Sequence, residues 1–165
     1  MTHISIAQAK KLGININKQT KQNIMFGKRP KRKADKGKYK LVIPGELPTL
    51  NEMIDEAKTH WSNYSEQKKD HTSIVAWEAI KCKLPYIPAV KLEITYIRKD
   101  RSYDPDNIAA AKKYILDGLV EAGVLENDGW KQIKGWAEDW DVDKDNPRIE
   151  VVLINIQKRR NEYEN

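Results

Sequence analysis

The chain has 165 residues, of which 39% are apolar and 33% charged, and carries a formal net charge of +6 at pH 7. That length supports one domain with its own core and is too short for two, and no apolar run approaches the length that crosses a bilayer. A lone Cys82 excludes an intrachain disulfide and any thiolate metal motif, and reads as a small buried hydrophobe.

The N-terminal MTHISIAQAKKLGI lacks an apolar block followed by a small-residue cleavage site, so a cytoplasmic protein is expected, with no membrane partner. Residues 1–40 hold twelve of the thirty basic residues but only one of the 24 acidic ones, leaving 18 basic and 23 acidic residues beyond them. A basic arm, residues 1–38, is thus joined to a mildly acidic body, residues 39–165. Ile6, Ala9, Lys10 and Gly13 fit a short helix ending at a glycine. The densest stretch, GKRPKRKADKGKYK, has no apolar period and is expected to be extended or disordered when unbound. Polyphosphate is the commonest partner of such an arm, with Lys31, Arg32 and Lys33 as candidate DNA contacts. The other reading is a solubilising tail.

Next in the chain, YKLVIPG (39–45) predicts a first strand, stopped by Pro44 and Gly45. ELPTLNEMIDEAKTHWSNYSEQ is polar and reads as a loop with at most a helical turn. Lys58, His60, Lys68 and Lys69, in or near it, are candidate contacts to a nucleic-acid backbone. From about Ser65 to Cys82, Ile74, Ala76, Trp77 and Ile80 recur at helical spacing until LPYIP ends the run. Val90, Leu92, Ile94 and Tyr96 alternate with Lys91, Glu93 and Thr95, the period of a half-buried strand. DPDN opens a helix that Gly123 closes. Two strands, KQIKGWAED and PRIEVVLINI, follow, and the turn-rich WDVDKDN between them predicts a hairpin. That segment is no calcium loop, since Asn146 and Val152 stand where glycine and glutamate are required. The order β-α-β-α-β-β predicts an α+β domain, a mixed sheet with helices on one face. Trp130, Trp136 and Trp140 suit either stacking on unpaired bases or a place in a core or dimer interface.

RSYDPDNIAAAKKYILDGL, from Arg101 to Leu119, is the stretch richest in chemistry. Pro105 forces Asp104 to be extended, and Asp106 or Asn107 can cap the helix that follows. Capping explains one carboxylate only. At about 100° per residue, Lys113 and Asp117 fall on the stripe of Asp106, beside an apolar stripe of Ile108, Ala111, Ile115, Leu119 and Ala122. VLENDGW then adds Asp128. Carboxylates gathered without His or Cys suit Mg²⁺ or Mn²⁺, and with a lysine nearby in a basic chain they suit metal-assisted phosphodiester hydrolysis.

D-x-D-N, then K-x-x-x-D on one helix, then G-V-L-x-N-D resembles the RusA family of Holliday junction resolvases, common in phages and prophages. The resemblance covers about residues 39–156, including IPGELPTLNE. It implies a homodimeric, Mg²⁺-dependent endonuclease that resolves branched DNA, cutting four-way junctions in recombination and repair inside a bacterial cell. By matched position the metal ligands fall on Asp104, Asp106 and Asp128, with Asp117 a further candidate, and the functional lysine falls on Lys113. Arg101 and Asn107 become candidate DNA contacts. The sequence departs from the pattern in an extra turn between Asn107 and K-x-x-x-D, and in Asn127 where a second aspartate is frequent. A four-way junction is two-fold symmetric and needs two cuts, which a C₂ dimer supplies. The alternatives are a non-catalytic DNA-binding accessory protein and a nuclease of forks or flaps.

Overall fold

The computed structural model describes residues 37–59 and 61–156; the arm, including Lys31, Arg32 and Lys33, and His60 lie outside the described residues. In chain order the elements are β1 (Lys38–Pro44), α1 (Leu50–Thr59), α2 (Trp61–Lys81), β2 (Val90–Arg98), α3 (Pro105–Ala109), α4 (Lys112–Glu121), β3 (Ile133–Val142) and β4 (Arg148–Asn155). They form a single α+β domain with a four-stranded mixed sheet of order β1-β4-β2-β3. β4 is antiparallel to both β1 and β2, while β3 runs parallel to β2. One face of the sheet is buried: Leu41, Ile43, Leu92, Ile94, Tyr96, Ile149, Val151 and Leu153 share a core with Val75 and Ala79 of α2 and Ile115 and Leu119 of α4. Lys91 and Glu93, on the other face, are exposed. The expected apolar stripe of Ile108, Ala111, Ile115, Leu119 and Ala122 is buried throughout.

The region expected to be a loop after β1 is instead helical, as α1 and the first turns of α2. Its start signal is a capping box. The Thr49 amide and hydroxyl both donate to Glu52 Oε2, at 2.8 and 2.9 Å, and the Glu52 amide donates back to Thr49 Oγ1 at 3.5 Å. That reciprocal pair satisfies donors a helix start leaves unpaired, and the polar residues that follow are mostly good helix formers. α2 ends with Lys83 at φ 54°, its amide on the Ile80 carbonyl and the Leu84 amide on the Ala79 carbonyl. This is the left-handed C-terminal motif usually given to glycine. Cys82 lies in that turn and is exposed, not buried as its residue type suggested. Gly123, at φ 73°, closes α4 the same way.

Three local features depart from the expected pattern and set the geometry of the site. The helix opened by DPDN is broken: Ala110 and Ala111 have ψ of −26° and −20°, and the amides of Ala111, Lys113 and Tyr114 bond three residues back. Such 3₁₀ spacing advances about 120° per residue, so the constant α-helical rotation expected between Asp106 and Lys113 does not hold across the break. In β3, Val90 pairs with Ile133 but Leu92 with Trp136, so β3 carries one extra residue, and Gly135 there has φ 136°. This bulge reverses the alternation, placing Trp136, Glu138 and Trp140 in phase with Leu92, Ile94 and Tyr96. Finally, β3 and β4 do not form the expected hairpin, because β2 lies between them. Their connection arches over the end of β2, with the Asp143 amide on the Arg98 carbonyl at 2.8 Å. Asp143 organises the arch, accepting from the Asn146 amide at 3.1 Å and from Arg148 at 2.9 Å. Five residues, 143–147, are enough chain to clear one intervening strand.

α4 packs on α2 through Gly118, where an added Cβ would lie 2.5 Å from Val75 Cβ and 2.9 Å from the Thr72 carbonyl oxygen. Alanine favours an isolated helix over glycine by about 1 kcal/mol, but here backbone and a β-branched side chain would have to give way. Gly118→Ala is therefore expected to destabilise the fold by about 2 kcal/mol, read as a lowered urea midpoint. A neutral or raised midpoint would show that α2 and α4 are not in this close contact.

Candidate functional site

Asp104 is the N-cap residue of α3, extended at φ −71° and ψ 150° as Pro105 requires, but its side chain makes no capping hydrogen bond. The expectation that Asp106 or Asn107 caps the helix is not met, because both lie inside it. Asp104 and Asp106 are exposed, and among the described residues neither carboxylate has a hydrogen-bond or ion-pair partner. The structural work that would account for an aspartate in an Asx-Pro turn is thus not done by either side chain.

A second group lies on α4. Lys113 donates to Asp117 Oδ1 at 2.7 Å and to Asp128 Oδ2 at 3.1 Å. The other oxygen of Asp117 lies 3.2 Å from Lys68 on α2. Asp128, Lys113, Asp117 and Lys68 thus alternate in sign across α2, α4 and the loop before β3. The i,i+4 spacing of Lys113 and Asp117 makes their pairing a helical neighbour effect, whereas Lys68 and Asp128 arrive by tertiary folding. The Lys113 ammonium is held above its ordinary pKa, first by its hydrogen bond to Asp117 and also by Asp128, against an opposing effect of burial. It therefore stays charged throughout the neutral range.

The expected ligand trio is not assembled in this geometry. Among the described residues no three His, Cys, Asp or Glu side chains are gathered closely enough to hold a metal ion. The donor chemistry of Asp104, Asp106 and Asp128 suits a hard divalent cation, and the first two are uncommitted, but Asp128 is occupied by Lys113. The charge between Asp117 and Asp128 is balanced by a lysine, where the sequence suggested a metal.

Lys112, adjacent to Lys113, points elsewhere. Its ammonium meets Glu138 Oε2 at 2.9 Å and lies 4.5 Å from the centroid of the Trp136 ring. Glu138 Oε1 accepts from the Tyr96 hydroxyl at 2.9 Å. Burial and the neighbouring carboxylate push the Tyr96 hydroxyl far above its usual pKa, so it remains a donor. Nothing in the sequence pairs Lys112 with Glu138, 26 residues away; only the bulge at Gly135 turns Glu138 toward α4.

Of the remaining candidates, Arg101 and Lys69 are exposed, Asn107 is half-buried, and Lys58 pairs loosely with Asp55 at 3.6 Å on α1. None of the three tryptophans is core: Trp130 is 96% exposed, and Trp136 and Trp140 remain well open on β3. A cavity of about 550 Å³ is lined in part by Glu46, Glu52, Asp55, Glu56, His71 and Arg98. Burial lowers the His71 pKa, partly offset by Asp70 and Glu52, and within the same lining Glu46 pairs with Arg98 at 3.2 Å. That cavity shares no lining residue with the Lys113 group.

Comparison with protein-family models and with curated proteins gives no match.

The two neighbouring lysines are expected to separate in a stability measurement. The Lys112 side chain is 19% exposed and that of Lys113 54%. Lys112→Ala strips a half-buried carboxylate of its cation and is expected to cost about 2 kcal/mol, whereas Lys113→Ala removes pairs worth about 0.5 kcal/mol in solvent. Urea unfolding of both variants checks this, and the opposite ranking would overturn the orientation assigned to α4.

Proposed function

We propose that this protein is a Mg²⁺-dependent, structure-selective endonuclease of the RusA type, which resolves four-way DNA junctions as a homodimer by hydrolysing two phosphodiester bonds. The observation that carries the reading is the pair Asp104 and Asp106, whose side chains make no capping bond to α3 and pair with no described cation. Exposed carboxylates left without a structural task, in a chain of net charge +6, are most simply explained by a ligand that bridges them to a polyanion. The family resemblance of D-x-D-N, K-x-x-x-D and N-D supports the same assignment.

In this reading Asp104, Asp106 and Asp128 would hold the divalent cation, which would supply Lewis acidity at the scissile phosphate. Lys113 contributes a fixed positive charge next to Asp128, where it offsets the negative charge that builds on the phosphate during attack. Asp117, held by Lys68 and Lys113 together, fixes the direction of that ammonium and acts as a positioning residue. Arg101, Asn107, Lys68, Lys69 and the arm with Lys31, Arg32 and Lys33 contact the DNA backbone. The scattered state of the three carboxylates favours a second reading, a DNA-binding accessory protein without catalysis.

Labelled four-way junction, fork, flap and linear duplex, each with and without Mg²⁺, decide between these. Cleavage of the junction that depends on Mg²⁺ is expected, lost in Asp106→Asn with junction binding unchanged or tighter, because a negative charge facing phosphate is removed. Lys113→Ala is expected to lose on the order of a hundredfold in rate at saturating junction and Mg²⁺, and Lys112→Ala to stay within a few-fold. Binding without cleavage of any substrate would select the accessory protein, and preference for forks or flaps would redefine the target.

A further inference from the structure

A second cavity, about 310 Å³, opens between the C-terminal end of β3 and the loop that leads into α3. Its lining combines Tyr103, Pro105, Ile108, Trp140 and Val142 with charged residues, Arg101 and Asp104 among them. We infer that this cavity takes one unstacked nucleobase of the DNA, held against the Trp140 ring beside Asp104. The inference rests on the DNA-binding part of the function proposed above, and not on cleavage.

Several features select that occupant. Trp140 stacks on Tyr96 with ring centroids 6.2 Å apart and planes 19° from parallel, and Tyr96 is itself buried and hydrogen-bonded to Glu138. The indole is therefore braced from behind, yet Trp140 is still 38% exposed, and its open part lines the cavity. A braced aromatic ring offers a stacking surface at little cost in side-chain entropy. Tyr103, also in the lining, is held by the Arg98 guanidinium, 5.2 Å from its ring centroid, and Arg98 is anchored to Glu46 at 3.2 Å. Charge argues against a phosphate inside: Asp100, Asp104 and Asp141 outnumber Arg98 and Arg101 around the lining. A neutral planar ring faces no such penalty, and its apolar faces match the apolar walls. Arg101, exposed and without an ion pair among the described residues, is left to meet the phosphate that follows the base. The bulge at Gly135 is what places Trp140 in phase with Tyr96 on β2.

The test is a binding cycle read by fluorescence anisotropy in EDTA, using wild type, Trp140→Ala and Trp140→Phe on a labelled four-way junction. The same junction is also made with a single abasic site at each nucleotide flanking the crossover in turn. Trp140→Ala is expected to weaken binding of the intact junction about tenfold, as loss of one base–aromatic stack does, and Trp140→Phe to stay within about threefold. At one abasic position wild type should lose the same factor and Trp140→Ala should add nothing further, since the two changes remove one contact. Equal binding by wild type and Trp140→Ala, or a loss that is unchanged at every abasic position, overturns the cavity assignment. Should Trp140→Ala fold poorly, a wild-type loss at one abasic position with retention by Trp140→Phe sustains it, and wild-type binding unaffected by any abasic site overturns it. Wild type that binds junction but never cuts it leaves this inference standing while removing the nuclease, and wild type that binds no DNA removes both.

Discussion

The Glu138 carboxylate is the point on which the geometry of this domain turns. One oxygen receives the Tyr96 hydroxyl from the centre of the sheet and the other receives Lys112 from α4. A half-buried carboxylate needs both partners, because leaving it unpaired in a poorly solvated position costs more than either contact contributes in water. The result ties the edge strand β3, the central strand β2 and the helix α4 in one rigid corner. This corner exists only because β3 carries an extra residue at Gly135, where the backbone adopts a conformation that side chains other than hydrogen rarely tolerate.

Fixing Lys112 inward fixes Lys113 outward. The two differ by about 100° around the helix axis, so once the first is bound to Glu138 and Trp136, the second is committed to the side where Asp117 and Asp128 lie. Lys68, from α2, completes the alternation of charge from beneath. Gly118 allows this, since the close approach of α4 to α2 brings Asp117 within reach of a residue almost fifty positions earlier in the chain. Packing distance and surface charge pattern are consequently linked: a side chain at position 118 would press directly on the helix that carries Lys68.

The aspartates at the start of α3 stand outside this lattice of ion pairs. Asp104 and Asp106 are exposed and uncommitted, while Asp117 and Asp128 are neutralised from within the protein. The 3₁₀ turn at Ala110–Ala111 lies between Asp106 and the Lys113–Asp117 pair. The cavity beside Trp140 borders the uncommitted set, and the acidic cavity beside His71 lies apart from the Lys113 group. Among the described residues the surface thus presents a lysine-bridged acidic stripe, an aromatic pocket with Arg101 in its lining, and a recess that gathers four carboxylates around His71 and Arg98.

Periodicity in the sequence determined much of this fold: the alternation in Val90–Tyr96, the apolar spacing through Ile108, Ile115 and Leu119, and the stops at Pro44 and Gly123 all depend on local geometry. The α+β class follows from them. The T-x-x-E box at Thr49 was equally legible, yet the polar residues after it read as loop, because a surface helix with little apolar content owes its stability to its cap and its packing. Strand neighbours were not legible. A short connection between two strands implies a hairpin unless a third strand intervenes, and only tertiary structure placed β2 between β3 and β4. The residue types of the candidate site, Asp104, Asp106, Lys113 and Asp128, could be read from their motif. Which of them touch could not, because constant helical rotation was assumed across a 3₁₀ turn and constant alternation across a bulge. One residue of slip in either place redirects every side chain beyond it, and that slip is settled by packing against the rest of the domain.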